Sequence, residues 1–346
     1  MKPPSVLFRC DADEKIGLGH ASRCAAVAEA LLDRGKPFFA VRRGRVGVRW
    51  LQDRGHPVYT HSCIDPDDYG RWLHGLTRDL GADVLVLDVR DDLPLAALTA
   101  LRSSGIGLAT IDDATERRWL VDEAFYPPLL DRQRLDWTGF SGVVHEGWDW
   151  VVVRAEFRSP PLRSSSPTPR VLVAMGGTDP AGLTSLAVDA LARVPEKFRT
   201  RILLGPTGSE ELDPGSSRFD GSETEIIRSP NSVASVMADS DLAIASFGVT
   251  AFELAAMGIP AVHLCLSEDH ASSAEVLSSE GISVNLGHYS KVSAEDVCAE
   301  VTRLLRDPEA RAEMTRQAKS RIDGRGAERI ADRIIALGSR GHDRRA

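Results

Sequence analysis

Nowhere does this chain run to the about 18 consecutive apolar residues that a membrane-crossing helix needs. Its opening residues, MKPPSVLFRC, hold no apolar run of the secretory kind either. Cysteine is scarce: Cys10, Cys24, Cys63, Cys265 and Cys298 are odd in number and never spaced CxxC. That argues against a disulfide framework or a structural zinc site, and a soluble protein of the reducing cytoplasm is the expectation. Basic residues are not in excess, since 42 Lys and Arg face 50 Asp and Glu for a net charge of −8. The chain as a whole therefore lacks the electrostatic footprint of a nucleic-acid binder. One local basic run, VRRGRVGVRW at residues 41–50, reads as a solvated loop or an anion contact. The spacing GxGxxG is missing too, because no glycine stands three residues after Gly19, so no dinucleotide cofactor is expected. Carboxylates cluster at Asp88, Asp91 and Asp92 and again at Asp112 and Asp113, but on separate loops, and no metal is expected there.

What the chain does have is rhythm. Its 346 residues, 42% hydrophobic, are material for two domains. Short apolar runs (SVLFRC, PFFAVRR, DVLVLDV, IGLATIDD) alternate with helical patterns such as RCAAVAEALLDRG, where Cys24, Val27, Ala28 and Leu31 share a face. Strand, helix, strand at this spacing predicts parallel strands with right-handed crossovers. FRSPPLRSSSPTPR, residues 157–170, breaks the pattern with four prolines and four serines and reads as a linker. The rhythm then restarts with VLVAMGG, RILLGP, TEIIRSP, DLAIASFG and PAVHLCL. Two doubly wound α/β domains are expected, 1–156 and 171–338. Ligands of such folds bind beyond the carboxyl ends of the strands, and a cleft between two facing domains is the expected site.

Three strand-to-helix turns carry chemistry. In FRCDADEKIGLGHASRC, Gly17 and Gly19 permit positive φ and close approach of backbone amides, and His20 stands at the helix mouth. An imidazole suits a general base near neutral pH, although a tight turn with a packed histidine gives the same four letters. In VLVAMGGTDPAGLT, Gly176, Gly177 and Thr178 offer a phosphate cradle, or an ordinary turn with Asp179 as helix cap. In IASFGVTAFELAAMGIP, Ser246, Phe247, Gly248, Val249 and Thr250 open another helix, and Glu253 follows one turn in. A carboxylate in so small and apolar a helix is costly unless paired or used. HLCLSEDHASSAEVL adds Asp269 and His270 at a further helix mouth, while His263 reads as a core residue.

Together these stretches, with IDD at residues 111–113, VVVRAEF at 151–157 and DGRGAERI near the end, resemble the UDP-sugar hydrolase of pseudaminic acid biosynthesis and the spore-coat polysaccharide glycosyltransferase-like proteins. They run in family order along nearly the whole chain. The resemblance implies a GT-B-like architecture, two doubly wound Rossmann-like domains facing a central cleft, with UDP held by the second. It makes His20 the base that activates water against the anomeric carbon. It places Asp11, Gly17, Gly19, Arg23, Arg90, Asp269 and His270 on the sugar side. Gly176, Gly177, Thr178 and residues 246–250 match the diphosphate segments, Glu253 the ribose-gripping carboxylate, and Val233 the stretch beside uracil. Two positions depart from the family: Arg90 stands where a Tyr is usual, and Asp269-His270 where Asn-Gln is usual. Three functions remain open on this reading: a UDP-sugar hydrolase without cofactor, a GT-B glycosyltransferase, and a non-catalytic nucleotide-sugar binding protein.

Overall fold

The computed structural model describes residues 3–13, 16–42, 45–61, 65–128, 135–159, 166–205 and 223–345. Cys63, part of the basic run at 43–44, and residues 160–165 of the expected linker lie outside them. Among the described residues the chain forms two compact units. One runs from the N-terminus through Val152 and takes up the chain again from Arg325; the other is Val153–Gly324.

The first unit holds seven strands, β1 (Ser5–Cys10), β2 (Lys36–Val41), β3 (Val58–Thr60), β4 (Val84–Asp88), β5 (Gly107–Ile111), β6 (Glu123–Tyr126) and β7 (Val143–Glu146). Between them lie α1 (Gly19–Leu31), α2 (Arg45–Gln52), α3 (Pro66–Asp79) and α4 (Leu95–Ser103). The sheet order is β3-β2-β1-β4-β5-β6-β7, and every pairing is parallel. Helices cover both faces of such a sheet, so its central strands read as unbroken apolar runs; all residues of β1, β4 and β5 are buried.

The second unit opens with the single turn α5 (Ala155–Arg158), then alternates β8 (Arg170–Ala174), α6 (Leu183–Leu191), β9 (Arg199–Leu204), β10 (Glu223–Arg228), α7 (Val233–Ala238), β11 (Leu242–Ser246), α8 (Val249–Met257), β12 (Ala261–Cys265), α9 (Glu268–Ser279), β13 (Val284–His288), α10 (Ala294–Arg306) and α11 (Pro308–Arg321). Its order, β10-β9-β8-β11-β12-β13, is parallel throughout. Strand order reverses once in each sheet, between β1 and β4 and between β8 and β11. A doubly wound sheet opens a crevice at such a point, beyond the carboxyl ends of its strands.

The final helix, α12 (Gly326–Arg345), departs from the expected partition. The sequence places residues through 338 in the second domain, whereas Ala327, Ile330, Ala331, Ile334 and Leu337 are buried in the first unit's core with Val27, Leu31, Val84 and Ala109. An amphipathic stripe tells that a helix covers a sheet but not which one. Small residues on both sides make the fit: a Cβ on Gly107 would stand 2.7 Å from Leu337 Cγ, and one on Gly326 of α12 itself 2.1 Å from the Val151 carbonyl oxygen. The expected linker also begins later than 157, since Phe157 is fully buried with Leu172, Ala174 and Leu254 in the second unit.

Arg333 of α12 locks onto Glu123 of β6. Its Nη2 lies 2.8 Å from Glu123 Oε1, and His145 Nε2 lies 2.6 Å from Oε2. Burial pushes the Glu123 carboxyl up, but the hydrogen bonds from His145 and Arg333 prevail and hold it below its ordinary value of 4.5. A carboxylate whose folded pKa is depressed stabilises the fold above its unfolded pKa and loses that contribution as pH falls through the folded one. Glu123→Gln is therefore expected to cost about 1–3 kcal/mol near pH 7. The gap from wild type should narrow as pH drops below about 4.5. Thermal melts of both proteins at pH 7 and pH 4 check this; a gap independent of pH contradicts it.

Candidate active site

The crevice at β1 and β4 is filled by an ordered polar network. After β1 the chain turns back on itself: Asp13 accepts the Ile16 N–H at Oδ1 (2.8 Å) and the Gly17 N–H at its carbonyl (3.0 Å). Gly17 has φ 75°, which the sequence anticipates. Gly19 is instead the first residue of α1 and takes no positive φ, so of the two glycines only Gly17 needs its conformational freedom. His20 follows in the first turn of α1, its side chain 18% exposed.

His20 does not stand alone. Its Nδ1 lies 2.6 Å from Oδ1 of Asp88, the last residue of β4. Arg23, one turn further along α1, clamps the same carboxylate with Nη2 on Oδ1 (2.6 Å) and Nε on Oδ2 (2.7 Å). Burial of Asp88 opposes its charge, but the Arg23 guanidinium and then His20 outweigh it and hold the carboxyl well below the usual range. An ionised Asp88 only accepts hydrogen bonds. His20 therefore donates through Nδ1–H, which in the neutral ring puts the lone pair on Nε2. The ring makes no other hydrogen bond among the described residues. The sequence shows Asp88 only as one carboxylate of a cluster; its signal is a charged residue ending an otherwise apolar central strand at the point of order reversal.

The other residues expected on the sugar side divide. Asp11 is committed to the fold: it takes Arg9 Nη1 and Nη2, each at 2.7 Å, and the Arg42 backbone N–H at 3.0 Å. Arg23 serves Asp88. Arg90, just beyond β4, is 48% exposed and lies 3.0 Å from Asp112 Oδ2. Asp269 and His270 lie in the second unit, at the start of α9, where the His270 ring meets Phe247 edge-on at 6.1 Å.

In the second unit, loops from β8 and β11 converge at the order reversal. A Cβ on Gly176, whose φ is 84°, would stand 3.6 Å from Ser246 Oγ. Three helices begin near this edge, and they differ in what their free N–H groups meet. Asp179 accepts from Leu183 N (2.8 Å) and Thr184 N (3.0 Å), so α6 is already capped, the plainer of the two readings of that motif. Ser267 caps α9, with Glu268 and Asp269 in its first turn. Among the described residues α8 alone of these three has no side chain on its first amides, its N-cap being Gly248, and no acid in its first turn. A helix mouth of that kind attracts an anion through its unpaired amides and dipole. Ser246, Phe247, Gly248, Val249 and Thr250 surround it, with Gly176, Gly177 and Thr178 on the adjoining loop.

Glu253, the match for the ribose-gripping carboxylate, is buried and already paired through one oxygen. It is 3% exposed, and its Oε1 takes Arg154 Nε at 2.9 Å. Burial raises its pKa, and Arg154 counters only part of that. Arg154 also pairs with Glu156 at 2.8 Å. Glu156 in turn accepts from Ser232 Oγ (2.8 Å) and the Ala234 N–H (3.3 Å) beside Val233 at the start of α7. Among the described residues no three His, Cys, Asp or Glu side chains are grouped to hold a metal ion, and no helix is long and apolar enough to cross a membrane.

Residues 171–334 match the glycosyltransferase family 28 C-terminal domain. The spore coat polysaccharide biosynthesis protein SpsG of Bacillus subtilis is 22% identical over 191 residues, 54% of this chain and 56% of that protein. The UDP-N-acetylglucosamine--N-acetylmuramyl-(pentapeptide) pyrophosphoryl-undecaprenol N-acetylglucosamine transferase of Acidiphilium cryptum is 30% identical over 182 residues, 51% of this chain and 49% of that protein. The chain thus spans about half the length of these curated relatives. The crystal structure of MurG from Acinetobacter baumannii is similar over 96% of this chain and 100% of its own, with a TM-score of 0.73 at 16% identity. The fold is GT-B-like, built of two parallel-sheet, Rossmann-like units.

Proposed function

We propose that this chain is a nucleotide-sugar enzyme in which His20, held by Asp88, is the general base and the mouth of α8 binds the diphosphate of a UDP-sugar. The observation that carries the reading is the 2.6 Å contact between His20 Nδ1 and Asp88 Oδ1, which leaves Nε2 as the basic nitrogen. A buried, accept-only carboxylate behind an imidazole fixes its tautomer and stabilises the imidazolium as it forms. In the hydrolytic form of the reaction, Nε2 takes a proton from water while the water oxygen bonds to the anomeric carbon. The carbon–oxygen bond to the β-phosphate breaks, and its electron pair leaves on UDP. Amides at the mouth of α8 stabilise that growing charge without a metal. The free sugar is of the acetamido-deoxy kind if the resemblance to the pseudaminic acid hydrolase holds for the sugar side.

A second reading keeps the base and replaces water by a sugar hydroxyl. The match of residues 171–334 to a glycosyltransferase domain favours it. One experiment separates the two: nucleotide release from a panel of UDP-, CMP- and dTDP-sugars, with and without acceptor saccharides. Release from a UDP-sugar in water alone is expected for the hydrolase, and acceptor-dependent release for the transferase. His20→Ala should abolish either while leaving UDP affinity nearly intact. Binding without release in any mixture would mark a non-catalytic binding protein and end the proposal.

A further inference from the structure

Five arginines, Arg9, Arg23, Arg42, Arg90 and Arg117, gather at the carboxyl edge of the first sheet, and four are consumed by the fold. Arg9 is fully buried against Asp11, Asp91 and the Cys10 carbonyl. Arg23 forks onto Asp88. Arg42 pairs with Asp92 and lies over the Tyr69 ring. Arg117 holds Asp113 at 2.9 Å and the Asp91 carbonyl at 2.7 Å. Arg90 differs. It is the most exposed of the five side chains, and its one ion pair among the described residues runs from Nη2 to Asp112. The Nε and Nη1 donors make no hydrogen bond among the described residues.

Asp112 fixes where that free edge stands. It is 7% exposed, adopts φ 56°, and shares the same Oδ2 between Arg90 at 3.0 Å and Arg23 Nη1 at 3.6 Å. A chain of contacts therefore runs from His20 through Asp88, Arg23 and Asp112 to Arg90, tying the half-exposed guanidinium to the proposed base. Half of the Arg90 side chain is exposed and one prong of its guanidinium is used, so the fold does not account for the rest. A planar fork with free N–H groups is suited to a carboxylate or phosphate, which it binds in two-pronged fashion.

We propose that Arg90 determines specificity by binding an oxyanion on the sugar-side ligand, either a carboxylate on the donor sugar or a phosphate on the acceptor. This rests on the nucleotide-sugar reading above. The test uses the full chain, as wild type, Arg90→Gln and Arg90→Lys. One arm compares UDP-glucuronate with UDP-glucose; the other compares glucose 6-phosphate with glucose as acceptor. Calorimetric Kd values are read beside kcat/KM, so the comparison does not wait on turnover. Wild type should favour the ionised ligand by about tenfold or more in one arm, which names the source. Arg90→Gln should erase that preference, Arg90→Lys should retain part of it, and the Kd for UDP alone should stay constant. No preference in either arm, or a preference that survives Arg90→Gln, overturns the proposal. A loss of affinity for UDP itself in Arg90→Gln also overturns it, assigning Arg90 to the diphosphate. If wild type fails to bind UDP, the nucleotide reading falls first and this one with it. Melting curves verify that the variants are folded.

Discussion

Asp88→Asn is expected to lower kcat for nucleotide release by about 10³–10⁴-fold, with the Kd for UDP unchanged. The cause is a proton placed on the wrong nitrogen. Ionised Asp88 accepts from His20 Nδ1, so Nε2 is left to take the proton of the nucleophile. An asparagine at 88 offers an N–H toward the same ring, favouring the tautomer with its proton on Nε2, which cannot act as a base. It also leaves Arg23 without the charge it clamps, and breaking a buried pair typically costs about 3–5 kcal/mol. Stability must therefore be measured alongside activity. His20→Ala is the companion variant because it keeps the Asp88–Arg23 fork whole. It should melt close to wild type, lose turnover, and regain part of it with added imidazole. A folded Asp88→Asn protein with kcat within about threefold of wild type would place the base elsewhere.

Deleting residues 326–346 should abolish the cooperative unfolding of the first unit and drive the chain to aggregate, as read by calorimetry and size-exclusion chromatography. Ile330, Ile334 and Leu337 are each 2% exposed or less, and burial of such side chains contributes about 1.5–3 kcal/mol apiece. Removal of α12 also leaves Glu123 without Arg333. The combined loss is of the same order as the about 5–15 kcal/mol that a whole domain commands. Ile334→Ala alone should cost about 2–5 kcal/mol. A truncated chain that stays monomeric and melts as wild type would show that α12 is dispensable.

The central strands were legible in the sequence because burial on both faces writes them as continuous apolar runs, as in Val84–Asp88 and Leu242–Ser246. The loops after them were legible for the same reason, since glycine and small polar residues interrupt the runs. Pairings across long stretches of chain were not. His20 and Asp88 are 68 residues apart, and Arg154 and Glu253 are 99 apart; no local pattern announces either. Cap chemistry was legible in part. At the start of α6 two oxygens of Asp179 occupy the Leu183 and Thr184 amides, so any anion held by Gly176, Gly177 and Thr178 does not use that helix mouth. The destination of α12 depends on surfaces such as Gly107, whose missing side chain marks a contact only once the partner is known.

The return of residues 326–345 to the first unit bears on how the protein is made. Among the described residues its second unit, Val153–Gly324, lies between the two stretches of chain that build the first. The first unit, although translated earlier, waits with its α1 and β5 surfaces bare until α12 has cleared the ribosome tunnel. Apolar surface left bare in that interval is aggregation-prone, so the amino-terminal half carries the main hazard of synthesis.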